Sequence, residues 1–275
     1  MTPLPLSDRG WLRSLNQSDR PAHRLVCFPH SGGTASVYRA WSAALPADGE
    51  LLGVQYPGRL ERMDEEPADS VAQMAACVAA DLLRRAPLPC FLFGHSLGAL
   101  VAYETALLLE AAGHPVDTLV VSGAPAPWLA GGGSTHRLPD DELWDLLGEL
   151  GGIDPRLGDD RELRALLLPV LRADIRLNET YRASPHAEPL TCTLRALHHT
   201  GDPLVDAART GAWARATTGA FGLRSGPGGH FDLPADVGAL AEALSGAPTE
   251  VLPDTLSDAL PDTLSVERPR SEAVR

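Results

Sequence analysis

The stretch Gly94-His95-Ser96-Leu97-Gly98 decides the fold. An apolar run over residues 90–95 precedes the serine, and a helical pattern over 97–112 follows it. A serine in this setting has the G-x-S-x-G pattern of a nucleophile elbow, where a sharp strand-to-helix turn requires small neighbours. The turn would place the hydroxyl of Ser96 at a helix N-terminus, where the helix dipole favours developing negative charge. The alternative is an ordinary turn with a capping serine.

Short apolar runs alternate with helical patterns on both sides of this segment. The predicted strands span residues 23–29, 51–56, 90–95, 116–122, 191–198 and 220–224. The predicted helices span 35–45, 68–85, 97–112, 206–217 and 233–244. Nearly continuous apolar strands are typical of a parallel sheet covered on both faces. Together with the elbow, the order predicts one domain over residues 1–246, with a mainly parallel, doubly wound sheet and the α/β-hydrolase fold.

Two segments interrupt this alternation. Residues 126–189 contain helical patterns at 139–150 and 161–177 but no convincing strand, so they are predicted to form an inserted helical lid. Pro169 is expected to kink or split the second helix, and the three glycines at 131–133 suggest a flexible hinge. Residues 247–275 are rich in proline and acidic side chains, which predicts a disordered tail.

A serine nucleophile needs a base, and the base needs an acid that fixes its tautomer. In this fold the chain order is serine, acid, histidine. His230 follows the last predicted strand in a glycine-rich loop and fits that order, whereas His198 and His199 come too early. Asp202 follows the fifth strand, and the loop after Ser122, the other usual acid site, contains no acid. Asp206 is a weaker alternative, since it more readily begins the next helix.

The oxyanion of a tetrahedral intermediate needs backbone donors. One is expected to be the N–H of Leu97, directly after the nucleophile. The second is expected from the loop after the first predicted strand, where Ser31 precedes two glycines that permit an inward-pointing amide. The alternative is that this loop is merely a tight connection.

Composition excludes several classes of protein. The net charge of -13 disfavours nucleic acids and anionic membranes as partners. No window of 18 apolar residues predicts a membrane span, and the polar N-terminus does not resemble a signal peptide. The four cysteines form no C-x-x-C pair and are expected to be free thiols of a reducing compartment, so the protein is predicted to be cytoplasmic. The chemistry requires no metal or cofactor.

Five motifs in order resemble the type II thioesterases that accompany polyketide and non-ribosomal peptide synthases. They lie between about residues 22 and 245: Phe28-Pro29-His30-Ser31-Gly32-Gly33-Thr34-Ala35, Gln55-Tyr56-Pro57-Gly58-Arg59, Phe93-Gly94-His95-Ser96-Leu97-Gly98-Ala99, Asp202-Pro203 with Trp213, and Gly229-His230-Phe231. The resemblance implies hydrolysis of acyl groups from the phosphopantetheine arm of acyl or peptidyl carrier proteins. It implies a Ser96, His230 and Asp202 triad, with Ser31 and Leu97 as oxyanion donors.

Some features leave room for other interpretations. Asp232 stands where the family usually has an aromatic or apolar residue, and it either adds a carboxylate near His230 or faces solvent. Arginines of the lid would meet an acidic carrier protein: Arg156, Arg161, Arg164, Arg172, Arg176 and Arg182. The alternative functions are a carboxylesterase or lipase that acts on small esters, and a non-catalytic module that binds acylated carriers.

Overall fold

The computed structural model describes residues 10–154, 156 and 160–233. Seven strands within this part form one sheet in the order β1-β3-β2-β4-β5-β6-β7. Their bounds are β1 Leu12–Ser14, β2 His23–Phe28, β3 Gly49–Val54, β4 Cys90–His95, β5 Thr118–Ser122, β6 Thr193–His199 and β7 Phe221–Gly226. β1 pairs antiparallel with β3, and the remaining pairs are parallel. The predicted mainly parallel sheet is confirmed, but β1 was missed, because three residues carry too little pattern.

Helices cover the sheet between the strands. The α-helices are α1 Val71–Leu83, α2 Leu97–Ala111, α3 Asp140–Glu149, α4 Arg161–Thr180 and α5 Ala207–Gly211. The 3-10 helices span Ala35–Ala43, Leu60–Arg62, Pro127–Leu129, Thr135–Arg137 and Ala212–Ala216. The first of these was predicted as an ordinary helix. Its buried residues Ala35, Tyr38 and Trp41 are spaced by three, which matches the three-residue turn of a 3-10 helix.

Apolar side chains fill both faces of the sheet. In β4, Leu92 packs into the large cluster with α1 and α2, whereas Phe93 packs into the opposite cluster with Tyr38 and Trp41. Successive strand residues point to opposite faces, so a strand buried on both sides must be apolar at nearly every position. This burial explains the continuous apolar runs in the sequence. Because β2 to β7 run parallel, their carboxyl ends lie at one edge of the sheet.

The segment between β5 and β6 contributes α3 and α4 and, among its described residues, no strand. These helices share a small core that includes Leu143, Trp144 and Leu168. α4 is one helix that contains Pro169, so the proline does not split it, and a kink there stays a prediction. Gly131, Gly132 and Gly133 all have positive φ, which explains their identity, and the N–H of Gly132 donates to the carbonyl oxygen of Glu179. A hinge role for them stays a prediction.

The structure describes no residue after position 233. The predicted helix over 233–244, apart from its first residue, and the predicted tail over 247–275 therefore lie outside the described residues. The four cysteines are free thiols. No helix among the described residues is both long and apolar enough to cross a bilayer.

Candidate active site

Ser96 lies at the sharp turn between β4 and α2, with φ of 53° and ψ of -121°. This left-handed conformation is strained for a residue with a side chain, and such strain concentrates at functional sites. The flanking glycines are required sterically. A Cβ at Gly94 would lie 2.3 Å from the carbonyl oxygen of Gly98, and one at Gly98 would lie 2.1 Å from that of Phe28. The sequence context therefore forms the tight turn that the elbow pattern predicts.

The structure brings Ser96, His230 and Asp202 together from three loops at the carboxyl edge of the sheet. The Nε2 atom of His230 lies 3.0 Å from the Oγ of Ser96, and its Nδ1 lies 2.8 Å from an Oδ of Asp202. Because the carboxylate only accepts, Nδ1 carries the proton, and Nε2 is free to accept from the serine hydroxyl. The arrangement has the geometry of a nucleophile, a base and an orienting acid.

Asp202 is held as a carboxylate in this position. Its side chain is 1% exposed, and it also accepts from the N–H groups of Leu204 at 2.8 Å and Val205 at 3.3 Å. Burial raises the pKa of the carboxyl, but the hydrogen bond and charge of His230 and the two amides outweigh it and hold the pKa below its ordinary value. The weaker alternative, Asp206, instead caps α5 through the N–H of Arg209.

Ser31 and Leu97 are the predicted oxyanion donors. Leu97 is the first residue of α2, where the helix itself offers no acceptor for the N–H. Ser31 lines the same cavity as Ser96, in the loop after β2. Within the part of the chain that the structure describes, no hydrogen bond is made by the Ser31 N–H. Both amides have the availability that an oxyanion donor needs.

A cavity of about 260 Å³ opens beside Ser96 and His230. Its wall is mainly apolar and includes Leu147 of α3, Ile175 of α4 and Phe231. Glu179 also lines the cavity, and its carboxylate accepts from the N–H groups of Thr135 at 2.7 Å and His136 at 3.0 Å and from the His136 ring. Burial raises the pKa of Glu179, but these bonds outweigh it and lower the pKa overall. The cavity suits an extended apolar group attached to a carbonyl at Ser96.

Sequence reasoning missed several residues around this site. Asp174 of α4 lies 1% exposed against the Ser31 loop and pairs with Arg59. The sequence does contain a sign of this pair. Asp174 lies in an apolar stripe at helical spacing with Leu171 and Ile175, and an acid at a buried position requires a partner of opposite charge. His199, rejected as the base because of its place in the chain, instead donates from Nδ1 to the carbonyl oxygen of Gly229 over 3.0 Å. No local pattern could have found that contact.

Asp232 and the lid arginines also have defined positions. Asp232 is exposed, and its carboxylate accepts from the N–H of Gly229 over 2.7 Å, so it braces the loop rather than the imidazole. Arg164 and Arg172 pair with acids of α3, whereas Arg161 and Arg176 are exposed without an ion-pair partner among the described residues.

No group of three or more histidine, cysteine or acidic side chains in the described part of the chain is arranged to hold a metal ion.

Comparison with known proteins agrees with this geometry. Residues 23–247 match the model of the thioesterase domain family. Thioesterase PikA5 of Streptomyces venezuelae is 42% identical over 242 residues, covering 85% of this chain and 84% of the relative. The type II thioesterase BorB from the borrelidin biosynthetic cluster is 39% identical with a TM-score of 0.79, over 85% of this chain and 97% of that one. The RedJ thioesterase of the prodiginine pathway in Streptomyces coelicolor is 38% identical with a TM-score of 0.75, over 82% and 88%.

Proposed function

The chain belongs to the thioesterase family, and from that premise we propose that it hydrolyses acyl groups from the phosphopantetheine arm of carrier proteins. Its role would be to remove stalled or aberrant acyl chains during polyketide or non-ribosomal peptide synthesis. The observation that carries this proposal is the hydrogen-bonded chain from Ser96 through His230 to Asp202 beside an apolar cavity. Relatives in such pathways support the substrate class, and BorB bears the type II designation.

In the first step, the Nε2 of His230 accepts the hydroxyl proton of Ser96 while Oγ attacks the thioester carbonyl carbon. The carbonyl oxygen becomes an oxyanion that the N–H groups of Leu97 and Ser31 stabilise. The C–S bond then breaks, and the sulfur leaves as the pantetheine thiol with the proton that the imidazole held. The products of this step are an acyl-enzyme and the free carrier arm.

In the second step, the same imidazole removes a proton from water as the water oxygen attacks the acyl-enzyme. The tetrahedral intermediate collapses, the proton returns to the Oγ of Ser96, and the carboxylic acid leaves. Asp202 keeps the imidazole in the Nδ1–H tautomer and stabilises its positive charge during both steps. The sum is one thioester and one water converted to one acid and one thiol.

The helical segment between β5 and β6 would recognise the substrate. Leu147 and Ile175 supply apolar wall for the acyl chain. Arg161 and Arg176, which are exposed and without an ion-pair partner among the described residues, offer positive charge to an acidic carrier protein. This charge would offset the repulsion expected from the net charge of -13. A cytoplasmic location stays a prediction of the sequence.

The decisive experiment compares hydrolysis of acyl-carrier-protein thioesters with hydrolysis of simple esters of the same acid. The wild type is expected to favour the carrier substrate by at least about tenfold in kcat/KM, since uniform binding through the carrier lowers KM. Ser96→Ala is expected to lose activity by a factor on the order of 10³ or more on both substrates. Ser42→Ala is the matched control, because it removes a half-buried hydroxyl whose one hydrogen bond among the described residues goes to the carbonyl oxygen of Arg39.

Two outcomes would favour the alternatives. Faster cleavage of simple esters than of carrier thioesters would indicate a carboxylesterase. Failure of Ser96 to react with a fluorophosphonate, measured as an unchanged intact mass, would indicate a non-catalytic carrier-binding module. Arg176→Glu tests the docking surface, because it should raise KM for the carrier substrate and leave a small thioester unaffected.

A further inference from the structure

The loop that presents Ser31 is bonded almost completely. The carbonyl oxygen of His30 accepts from the N–H of Gly33 over 2.9 Å, and the carbonyl oxygen of Ser31 accepts from the Nδ1–H of His30 over 3.0 Å. Burial lowers the pKa of His30, which keeps its ring neutral with the proton available for that bond. These contacts fix the two peptide planes on either side of the Ser31 Cα and leave the Ser31 N–H directed at no protein acceptor among the described residues.

One contact of this loop comes from a distant part of the chain. The N–H of Gly32 donates to an Oδ of Asp174 over 2.8 Å, across 142 positions of sequence. The Ser31–Gly32 peptide is therefore held from both sides, by His30 at its oxygen and by Asp174 at its nitrogen. Asp174 lies on α4, in the segment between β5 and β6. The conformation of the Ser31 loop therefore depends on this helix as well as on the edge of the sheet.

Arg59 holds the Asp174 carboxylate in place. Its two terminal nitrogens donate to the two carboxylate oxygens over 2.7 and 2.9 Å, and it also donates to the carbonyl oxygen of Gly33 over 3.3 Å. The pair is buried, with Arg59 6% and Asp174 1% exposed. A bidentate pair of this kind fixes geometry as well as charge. It accounts for the arginine of the Pro57-Gly58-Arg59 motif, which the reaction itself does not use.

Packing joins the same surfaces. Gly32 has φ of +76°, and a Cβ there would lie 2.4 Å from the Cδ2 of Leu171 on α4. Leu171, Asp174, Ile175 and Asn178 recur at helical spacing and so share one face of α4. The first two meet the Ser31 loop, and the last two line the cavity. One face of α4 thus forms part of the cavity wall and also contacts the loop that carries the predicted oxyanion donor.

We propose that Asp174 is a positioning residue for the oxyanion donor Ser31, acting through the N–H of Gly32 and held by Arg59. The inference rests on the proposed function, because it concerns the oxyanion formed when Ser96 attacks an acyl carbonyl. It makes α4 part of the reaction machinery rather than only a cover. Displacement of α4 would then weaken oxyanion stabilisation even with Ser96, His230 and Asp202 intact.

The test uses the full chain and a simple acyl thioester, so that it does not depend on carrier recognition. Asp174→Ala is expected to lower kcat about 10–100-fold and to change KM less than threefold, because an oxyanion donor acts mainly in the transition state. The inhibition constant of an acyl trifluoromethyl ketone, which forms a tetrahedral adduct with serine, should rise by the same factor. Asp174→Asn keeps an acceptor for Gly32 and should recover part of the loss.

Two further variants keep the outcome interpretable. The double variant Arg59→Met with Asp174→Leu replaces the buried pair with apolar side chains, which usually preserves folding, and should match Asp174→Ala in kcat. Arg85→Gln removes an ion pair with Glu50 near the amino end of β3, at the opposite edge of the sheet from Ser96, and should leave kcat unchanged.

The proposal fails if the folded double variant keeps the wild-type kcat and trifluoromethyl ketone affinity. It fails equally if kcat falls while the ketone binds as before, because the loss would then not involve the oxyanion. The proposed function fails separately, and visibly, if the wild-type protein does not hydrolyse the thioester at all.

Discussion

The ring of His95 donates its Nε2–H to the backbone carbonyl oxygen of His230 over 2.7 Å. The other ring nitrogen, Nδ1, lies 3.1 Å from the hydroxyl of Ser122, which donates to it. His95 is completely buried, and burial together with the positive potential of His230 and His30 lowers its pKa well below the ordinary value. The neutral imidazole of His95, inside the elbow motif, therefore holds the backbone of His230, the proposed base, in position.

Replacing His95 with leucine should displace His230, because the carbonyl oxygen of His230 loses the ring N–H that holds it. A misplacement of about 1 Å at a reacting group costs on the order of 10² in rate, so we expect kcat to fall about 10–100-fold with little change in KM. Steady-state kinetics on a simple thioester measure this. Unchanged kcat in a folded His95→Leu variant would contradict the positioning role, and Ser122→Ala should give a smaller loss of the same kind.

His199 provides a second hold on the same loop, through its Nδ1–H and the carbonyl oxygen of Gly229. His199→Ala should leave that partly buried acceptor without its donor and lower the free energy of unfolding by about 0.5–1.5 kcal/mol. It should also lower kcat, by less than His95→Leu, because the contact is one residue from the base. The neighbouring His198 bonds instead to Ser225 over 3.3 Å, so His198→Ala is the matched control, with stability within about 0.5 kcal/mol of the wild type. Equal effects at both positions would refute this.

Stability should fall as the pH falls below about 6.5, the ordinary pKa of histidine in an unfolded chain. Burial lowers the pKa values of His95 and His30 in the folded state. At pH values between the lowered and the ordinary pKa, these two histidines are protonated in the unfolded chain and neutral in the folded chain. A fall in pH therefore favours unfolding. Each ring contributes a slope of at most about 1.4 kcal/mol per pH unit.

Urea unfolding at pH 7.5, 6.5 and 5.5 checks this dependence on the wild type and on His95→Gln. The variant lacks one of the two rings, and its stability should therefore decline less steeply between pH 6.5 and 5.5. Identical slopes for the two proteins would show that His95 is not the group that resists protonation.

Two glycine-to-alanine changes should have opposite effects. At Gly98 the added Cβ would lie 2.1 Å from the carbonyl oxygen of Phe28, so Gly98→Ala should destabilise the elbow and abolish hydrolysis. At Gly148, an exposed position within α3, a Cβ meets no atom within 4 Å. Gly148→Ala should stabilise the protein by about 0.5–1 kcal/mol, because alanine favours the helix. Thermal unfolding and thioester hydrolysis of both variants provide the comparison, and a stable, active Gly98→Ala protein would contradict the steric argument.

Much of the architecture follows from local sequence. The apolar runs that form β2 to β5 are nearly continuous because a parallel sheet covered on both faces excludes water from most of their positions. The elbow around Ser96 is only partly local: Gly94 is required by its contact with Gly98 within five residues, whereas Gly98 is required by the backbone of Phe28 at the end of β2. The loops that carry Asp202 and His230 follow from strand order, because parallel strands end at one edge of the sheet. Their catalytic roles stay predictions until the variants are measured.

Tertiary structure decided what no local pattern encodes. The bond from Gly32 to Asp174 joins positions 142 residues apart, and that from His95 to His230 joins positions 135 apart. Such partners are selected by how α4 and the β7 loop pack on the sheet edge, and a buried polar group takes the donor or acceptor that packing leaves within reach. The sequence by itself determined the sheet, the elbow and the order of the three candidate residues around Ser96. Only the folded chain decided which side chains hold Ser31 and His230 in place, because those contacts exist only after distant elements pack together.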